Sequence, residues 1–113
     1  MSNLLTFTPE GIYCAAGDFH IDPWLPVPLA LITHGHADHS RLGMGAYMAT
    51  TSAAPVMRHR LGEIKMDTVA YGDVTSINGV DVSFHPAGHV PGSAQIRVAH
   101  KGDVWVASGD YKT

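Results

Sequence analysis

His34-Gly35-His36-Ala37-Asp38-His39 places three imidazoles and a carboxylate within six residues, directly after the apolar run Leu29-Ala30-Leu31-Ile32. A packed core does not accept four such groups, because each would be buried with unpaired polar atoms. Neutral imidazole nitrogen and carboxylate oxygen are, in contrast, what a borderline-soft divalent ion such as Zn²⁺ takes as ligands. Gly35 and Ala37 separate the donors with the smallest side chains, so several can crowd one point. The spacing is not HExxH, in which two histidines four apart on a helix hold one zinc beside a glutamate. The first histidine here ends a strand and the rest turn away from it, which suits a loop feeding two adjacent ions. The competing reading is a solvated polar loop.

A length of 113 residues allows one small domain with a core and is too short for two ordinary ones. Hydrophobic residues at 45% against charged residues at 15% describe globular material. The single Cys14 permits no internal disulfide, which fits a reducing, cytoplasmic setting and a lone buried thiol. The first ten residues have neither a basic start nor a long apolar stretch, and so read as neither signal peptide nor membrane span. A formal charge of −3 gives no basic footprint for polyanions, and Arg58, Arg60 and Lys65 are too scattered to make one.

Short apolar runs alternate with glycine or proline punctuation. Strands are expected at Leu4–Phe7, Ile12–Ala15, Asp18–Ile21, Leu29–Thr33, Thr68–Tyr71, Val80–Phe84, Ala94–Ala99 and Val104–Ser108. Val80, Val82 and Phe84 alternate with Asp81 and Ser83, the pattern of a half-buried strand. Val104-Trp105-Val106-Ala107 is continuously apolar and is expected to be covered on both faces. Asn78-Gly79 and Lys101-Gly102-Asp103 are hairpin turns. One helical turn is expected after Asp38, and a helix over about Ala53 to Leu61, closed by Gly62. The class is α/β or α+β, a strand-rich sandwich layer with polar residues gathered at strand ends.

Two more polar groupings lie at such ends. His85-Pro86-Ala87-Gly88-His89 follows the Val80–Phe84 strand, and His89 offers a third imidazole to an ion held by His34 and His36. Ser108-Gly109-Asp110-Tyr111 closes the last strand with a carboxylate. Gly-His and Gly-Asp are weak signals alone; behind the histidine cluster, each closing a strand, they gain meaning together. His20, His59 and His100 read as structural or solvated, while His85 is nearer the site. Met44, Met48, Met57 and Met66 read as core filler. Trp24 and Trp105 read as packing anchors, with Trp24 close enough to Asp22 to line an entrance.

The order His34-x-His36-x-Asp38-His39, then His89, then Asp110 resembles the metallo-β-lactamase fold, whose sites hold two zinc ions. Ala87-Gly88-His89-Val90-Pro91-Gly92-Ser93 and Gly109-Asp110-Tyr111 resemble the β-CASP nucleases of that fold. Asp18-Phe19-His20-Ile21-Asp22-Pro23-Trp24 with Gly-Asp-Tyr-Lys is similar to bacterial ligase-associated DNA exonucleases within that branch. The resemblance implies that His34, His36 and His89 hold one zinc, that Asp38 and His39 begin a second site, and that Asp110 bridges the ions. Asp22, and to a lesser degree His85, would fix ligand orientation. Two ions about 3.5–4 Å apart bind a scissile phosphate and activate water, which Asp38, the catalytic carboxylate, would orient. Zn²⁺ is the implied metal, with Mn²⁺ as substitute.

The resemblance covers residues 1–113 but only the opening part of such proteins. The expectation is therefore the first half of an αββα sandwich, without the β-CASP insert, the second half or the final histidine ligand. Such a chain would be inactive alone, and self-association would cover a sheet face around Val82, Phe84, Ile96 and Val98. The implied activity is zinc-dependent phosphodiester hydrolysis, a nuclease or exonuclease acting on DNA rather than RNA and tied functionally to a DNA ligase and helicase. The alternatives are a thioesterase or lactonase of the same fold and a non-catalytic metal-binding fragment.

Overall fold

Leu29-Ala30-Leu31-Ile32 is apolar at every position because its two faces meet two different cores. In the computed structural model, which describes residues 4–33, 43–86 and 94–108, Leu29 and Leu31 pack into one apolar cluster and Ala30 and Ile32 into another. The segment forms β4 (Leu29–Leu31), an interior strand of a six-stranded sheet with the order β1-β2-β3-β4-β5-β6. The other members are β1 (Leu5–Thr8), β2 (Gly11–Cys14), β3 (Phe19–Ile21), β5 (Ala46–Thr50) and β6 (Met66–Val69). β1, β2 and β3 run antiparallel, whereas β3, β4, β5 and β6 are mutually parallel. A parallel pair requires a crossover, and α1 (Ala54–Leu61) provides it between β5 and β6. It seats Met57 on Ala30, Ile32, Tyr47 and Ala49.

The second sheet is a four-stranded antiparallel meander, order β10-β9-β8-β7, built from β7 (Val74–Ile77), β8 (Val80–Pro86), β9 (Ala94–His100) and β10 (Asp103–Ser108). Its turns are those the sequence specifies. Asn78 (φ 51) with Gly79 (φ 86) and Lys101 (φ 50) with Gly102 (φ 90) take the positive φ that two-residue hairpins demand. The helix also closes as expected: Gly62 at φ 76 donates its N–H to the Arg58 carbonyl, and Arg58, His59 and Arg60 occupy the negative end of the helix dipole.

Three expectations are corrected. Val82, Phe84, Ile96 and Val98 are not an open face; each is at most 1% exposed, packed with Ile12, Phe19, Ile21 and Leu31 of the first sheet. The premise for self-association through these residues therefore falls. Val104-Trp105-Val106 is not covered on both faces: β10 is an edge strand, and these residues are 50%, 38% and 57% exposed. Trp24, at 51% exposed, and Trp105 are accordingly not buried anchors. β5 and β7 were not expected, and β6 lies two residues earlier than its expected span. The turn after Asp38 lies outside the described residues. Met44, Met48 and Met57 do fill the core, and Cys14 is fully buried and free.

The arrangement is helix on sheet on sheet. Its two ends differ. The β2–β3, β7–β8 and β9–β10 turns close one end, where Asn78 Nδ2 donates to the Gly17 carbonyl at 2.7 Å and joins the sheets. The other end gathers the carboxyl termini of β3, β4, β5, β6, β8 and β10.

Candidate functional site

In a partly parallel sheet, the carboxyl ends of neighbouring strands are where ligands bind, because side chains leaving the sheet there converge on one crevice. β3 ends at Ile21 and hands on to Asp22, whose backbone sits at φ 48, the left-handed region, although it is not glycine. A non-glycine residue held there while buried signals that surrounding bonds over-determine it. Those bonds are visible. The Asp22 N–H donates to the Leu31 carbonyl at 2.9 Å. Its carboxylate accepts the Thr33 N–H on Oδ1 at 2.9 Å and the Thr33 hydroxyl on Oδ2 at 2.6 Å. Asp22 is 7% exposed and Thr33 1%.

Thr33 also ties the sheets together, since its carbonyl accepts the Ala94 N–H at 2.7 Å. Thr33 immediately precedes His34; Ala94 immediately follows the 87–93 segment that holds His89. The β9 register places Pro86 opposite Ala94 and Ser108 opposite Gln95. The segments bearing His34–His39, His89 and Asp110 thus all attach to one end of the sandwich, at Thr33, Pro86, Ala94 and Ser108. His34, His36, Asp38, His39, His89 and Asp110 themselves lie outside the described residues. Among the described residues no group of three or more His, Cys, Asp or Glu side chains is placed to hold a metal.

His85, at the end of β8, has its Nε2 2.8 Å from the Ser83 Oγ, a bond that fixes the ring's orientation. His20 lies elsewhere, stacked on Tyr13 with ring centroids 4.6 Å apart on the outer face of the first sheet. Desolvation lowers its pKa against the opposing pull of Glu10 and Asp18. Tyr13 in turn donates to Asp18 at 2.8 Å, and that bond leads the causes that raise its pKa. Arg58 and Arg60 lie on α1, which runs back from the ligand-bearing end; Lys65 and Lys101 lie toward the closed end, and Arg97 is mid-strand in β9. Trp24 sits at the ligand-bearing end, its N–H donated to the Glu10 carbonyl at 2.9 Å.

The sequence reading missed a line of hydroxyls at this same end: Thr50, Ser52 and Tyr71, where β5 and β6 leave the sheet. The run Thr50-Thr51-Ser52 after an apolar pentad was the available signal.

The backbone can be placed among known structures. It superposes on a mutant of the CmlA β-hydroxylase with a TM-score of 0.66 and 16% identity, over 96% of this chain and 31% of that one. A HARLDQ-motif mutant of the Cronobacter sakazakii metallo-β-lactamase gives 0.64 and 16%, over 90% and 53%. A subclass B3 metallo-β-lactamase of Bradyrhizobium japonicum gives 0.58 and 16%, over 90% and 52%. The chain has the metallo-β-lactamase fold. No family model matches it. Among curated proteins, a probable DNA ligase of Opitutus terrae is 28% identical over 106 residues, which is 91% of this chain and 10% of that protein. The chain therefore spans a tenth of that relative and between about a third and a half of these structures. Within the metallo-β-lactamase fold, the end that carries Asp22, Thr33 and Ala94 is also the end to which all six expected ligands attach. Among the described residues no helix is long and apolar enough to cross a membrane.

Proposed function

We propose that the protein is a metal-dependent phosphodiester hydrolase acting on DNA. The observation that carries this reading is the convergence at one sandwich end of the three ligand-bearing segments, cross-tied by Asp22, Thr33 and Ala94. Four imidazoles and two carboxylates suit Zn²⁺, and tolerate Mn²⁺. His34, His36 and His89 hold one ion in this reading; Asp38 and His39 contribute to a second, with Asp110 shared. When bound, such ions supply Lewis acidity at a phosphate and a nucleophile at neutral pH.

The chain's own residues do the rest. Asp22 grips Thr33 through both carboxylate oxygens, so the backbone entering His34 is fixed before any ligand is placed. His85, steadied by Ser83, limits movement on the second-sheet side. Asp38 accepts a hydrogen bond from the attacking water and aims it. DNA is favoured by Ala87-Gly88-His89 and Gly109-Asp110-Tyr111, and by similarity to a protein described as a probable DNA ligase. In this reading the protein works in the cytoplasm, in repair, beside a DNA ligase and a helicase.

A second reading, a thioester-, lactone- or lactam-cleaving enzyme, is favoured by the metallo-β-lactamases among the structural neighbours. The longest reading frame carrying these residues should be purified and offered end-labelled DNA, a thioester and a β-lactam, each with Zn²⁺ or Mn²⁺. Nucleotide release that disappears in Asp38→Ala is the expected result. Thioester or lactam hydrolysis without DNA cleavage would replace the nuclease with the second reading. Bound zinc with no hydrolysis of any of them would leave a metal-binding module.

A further inference from the structure

Asp22-Pro23-Trp24-Leu25-Pro26-Val27-Pro28 makes the whole crossover from β3 to the parallel strand β4. Its three prolines fix φ at their own positions, and the segment is fastened along its length. Asp22 grips Thr33 through both carboxylate oxygens. Pro23 lies so close to Gly11 that a Cβ on the glycine would stand 2.9 Å from the Pro23 Cα. The Glu10 carbonyl takes the Trp24 N–H at 2.9 Å. Further on, a Cβ on Gly43 would meet the Pro26 ring at 3.4 Å. Val27 is buried with Ala30 and Ile32, and its carbonyl accepts the Gly45 N–H at 2.9 Å.

Thr33 and Gly43 bracket the 34–42 segment, which holds His34, His36, Asp38 and His39. The crossover therefore touches both stems of that segment, and between the two contacts it presents Trp24 and Leu25, 51% and 44% exposed. The Trp24 Cα stands no more than about 7 Å from that of Asp22, two residues away. An indole on so fastened a backbone is a preordered flat surface, with much of the entropy cost of holding a ligand already met. The described lysines and arginines stand on α1, near the closed end or in mid-β9, so a strand bound at this end gains little from them. Stacking is the alternative to charge: every base has a π-face, and an aromatic side chain holds an unpaired base whatever its sequence.

We propose that Trp24 is a substrate-positioning residue whose indole stacks on an unpaired base beside the scissile phosphodiester, so that the substrate is single-stranded DNA. This rests on the phosphodiester reading above and adds the strandedness of its substrate. A tryptophan that merely filled the crossover would contribute nothing that depends on the bases.

The probes are a single-stranded phosphorothioate oligonucleotide, the same strand in a blunt duplex, and an abasic strand of equal length with the same linkages. Each is titrated into the zinc-loaded protein. Wild type should bind the single strand about tenfold more tightly than the abasic strand, and more tightly than the duplex. Trp24→Ala should lose about that factor on the single strand and nothing on the abasic strand, with unchanged zinc content and melting temperature. Trp24→Phe should recover most of the loss. Trp105→Phe leaves Trp24 as the sole tryptophan, and its emission should be quenched by the single strand but not by the abasic one. Equal wild-type affinity for single and abasic strands, tighter binding of the duplex, or undiminished binding by Trp24→Ala overturns this proposal and leaves the nuclease reading standing. Failure of wild type to bind any of the three overturns both.

Discussion

Asp22 and Thr33 are joined twice: one carboxylate oxygen takes the threonine N–H at 2.9 Å, the other its hydroxyl at 2.6 Å. Both partners are buried, and the Thr33 carbonyl passes the constraint to Ala94 across the sheet interface. Asp22→Ala would leave a buried N–H and a buried hydroxyl without this acceptor. The expected loss is about 2–4 kcal/mol, and about 1.5–3 kcal/mol for Thr33→Val, which keeps the shape but takes the hydroxyl away from a carboxylate oxygen. Urea denaturation measures both. An Asp22→Ala protein as stable as wild type would show that the pair does not hold this end together.

The same pair governs metal affinity if it orients His34. Asp22→Asn keeps the volume but cannot accept both Thr33 protons, and should weaken zinc binding by about 10- to 100-fold. His36→Ala removes a ligand outright, so dialysed protein should lose its tightest zinc, about one per chain. Elemental analysis reads both variants. Full zinc retention by His36→Ala would dismiss the proposed ligand set.

Much of the fold is legible where local chemistry and tertiary role coincide. The Asn78-Gly79 and Lys101-Gly102 turns can be assigned because each ends in a glycine, which takes positive φ without strain, and β8 because Val80, Val82 and Phe84 alternate with Asp81 and Ser83. β5, Ala46-Tyr47-Met48-Ala49-Thr50, lacks alternation because both of its faces are buried, Met48 toward the second sheet and Tyr47 and Ala49 toward α1, and Thr50 is its one β-branched residue. β7 is a short edge strand of mixed residues, and its identity comes from its partner β8. The ligand types are readable from His34-x-His36-x-Asp38-His39. That the three ligand-bearing segments attach to one end is not, because it depends on strand direction in two sheets. Tyr71 was hidden for the same reason: no local pattern joins it to Ser52, nineteen residues earlier.

Cys14 should report on global opening. Its thiol is fully buried between the sheets, and burial pushes its pKa above the ordinary thiol value. Thiolate, the reactive form, is therefore scarce and shielded. Alkylation by iodoacetamide at mildly alkaline pH should be slow in native protein and rise with urea along the unfolding curve. Fast labelling without denaturant would mean that the core around Cys14, Phe19 and Val80 opens locally.

His20 should give stability a measurable pH dependence. Desolvation beside Tyr13 lowers its pKa and outweighs Glu10 and Asp18, both of which raise it. The folded protein thus prefers the neutral ring, while the unfolded chain binds a proton near the ordinary value of 6.5. Above that value neither state is protonated and the contribution is fully present. As pH falls below it the unfolded state takes up more protons than the folded one, so stability declines until the folded pKa is passed, and then levels. The chain has seven other histidines among its eight, so the measurement is a difference: the denaturation midpoint at about pH 7.5 minus that at about pH 5.5, in wild type and in His20→Gln. The variant should lose less stability over this interval. An equal loss would show that the ring at position 20 is as well solvated in the fold as in the unfolded chain.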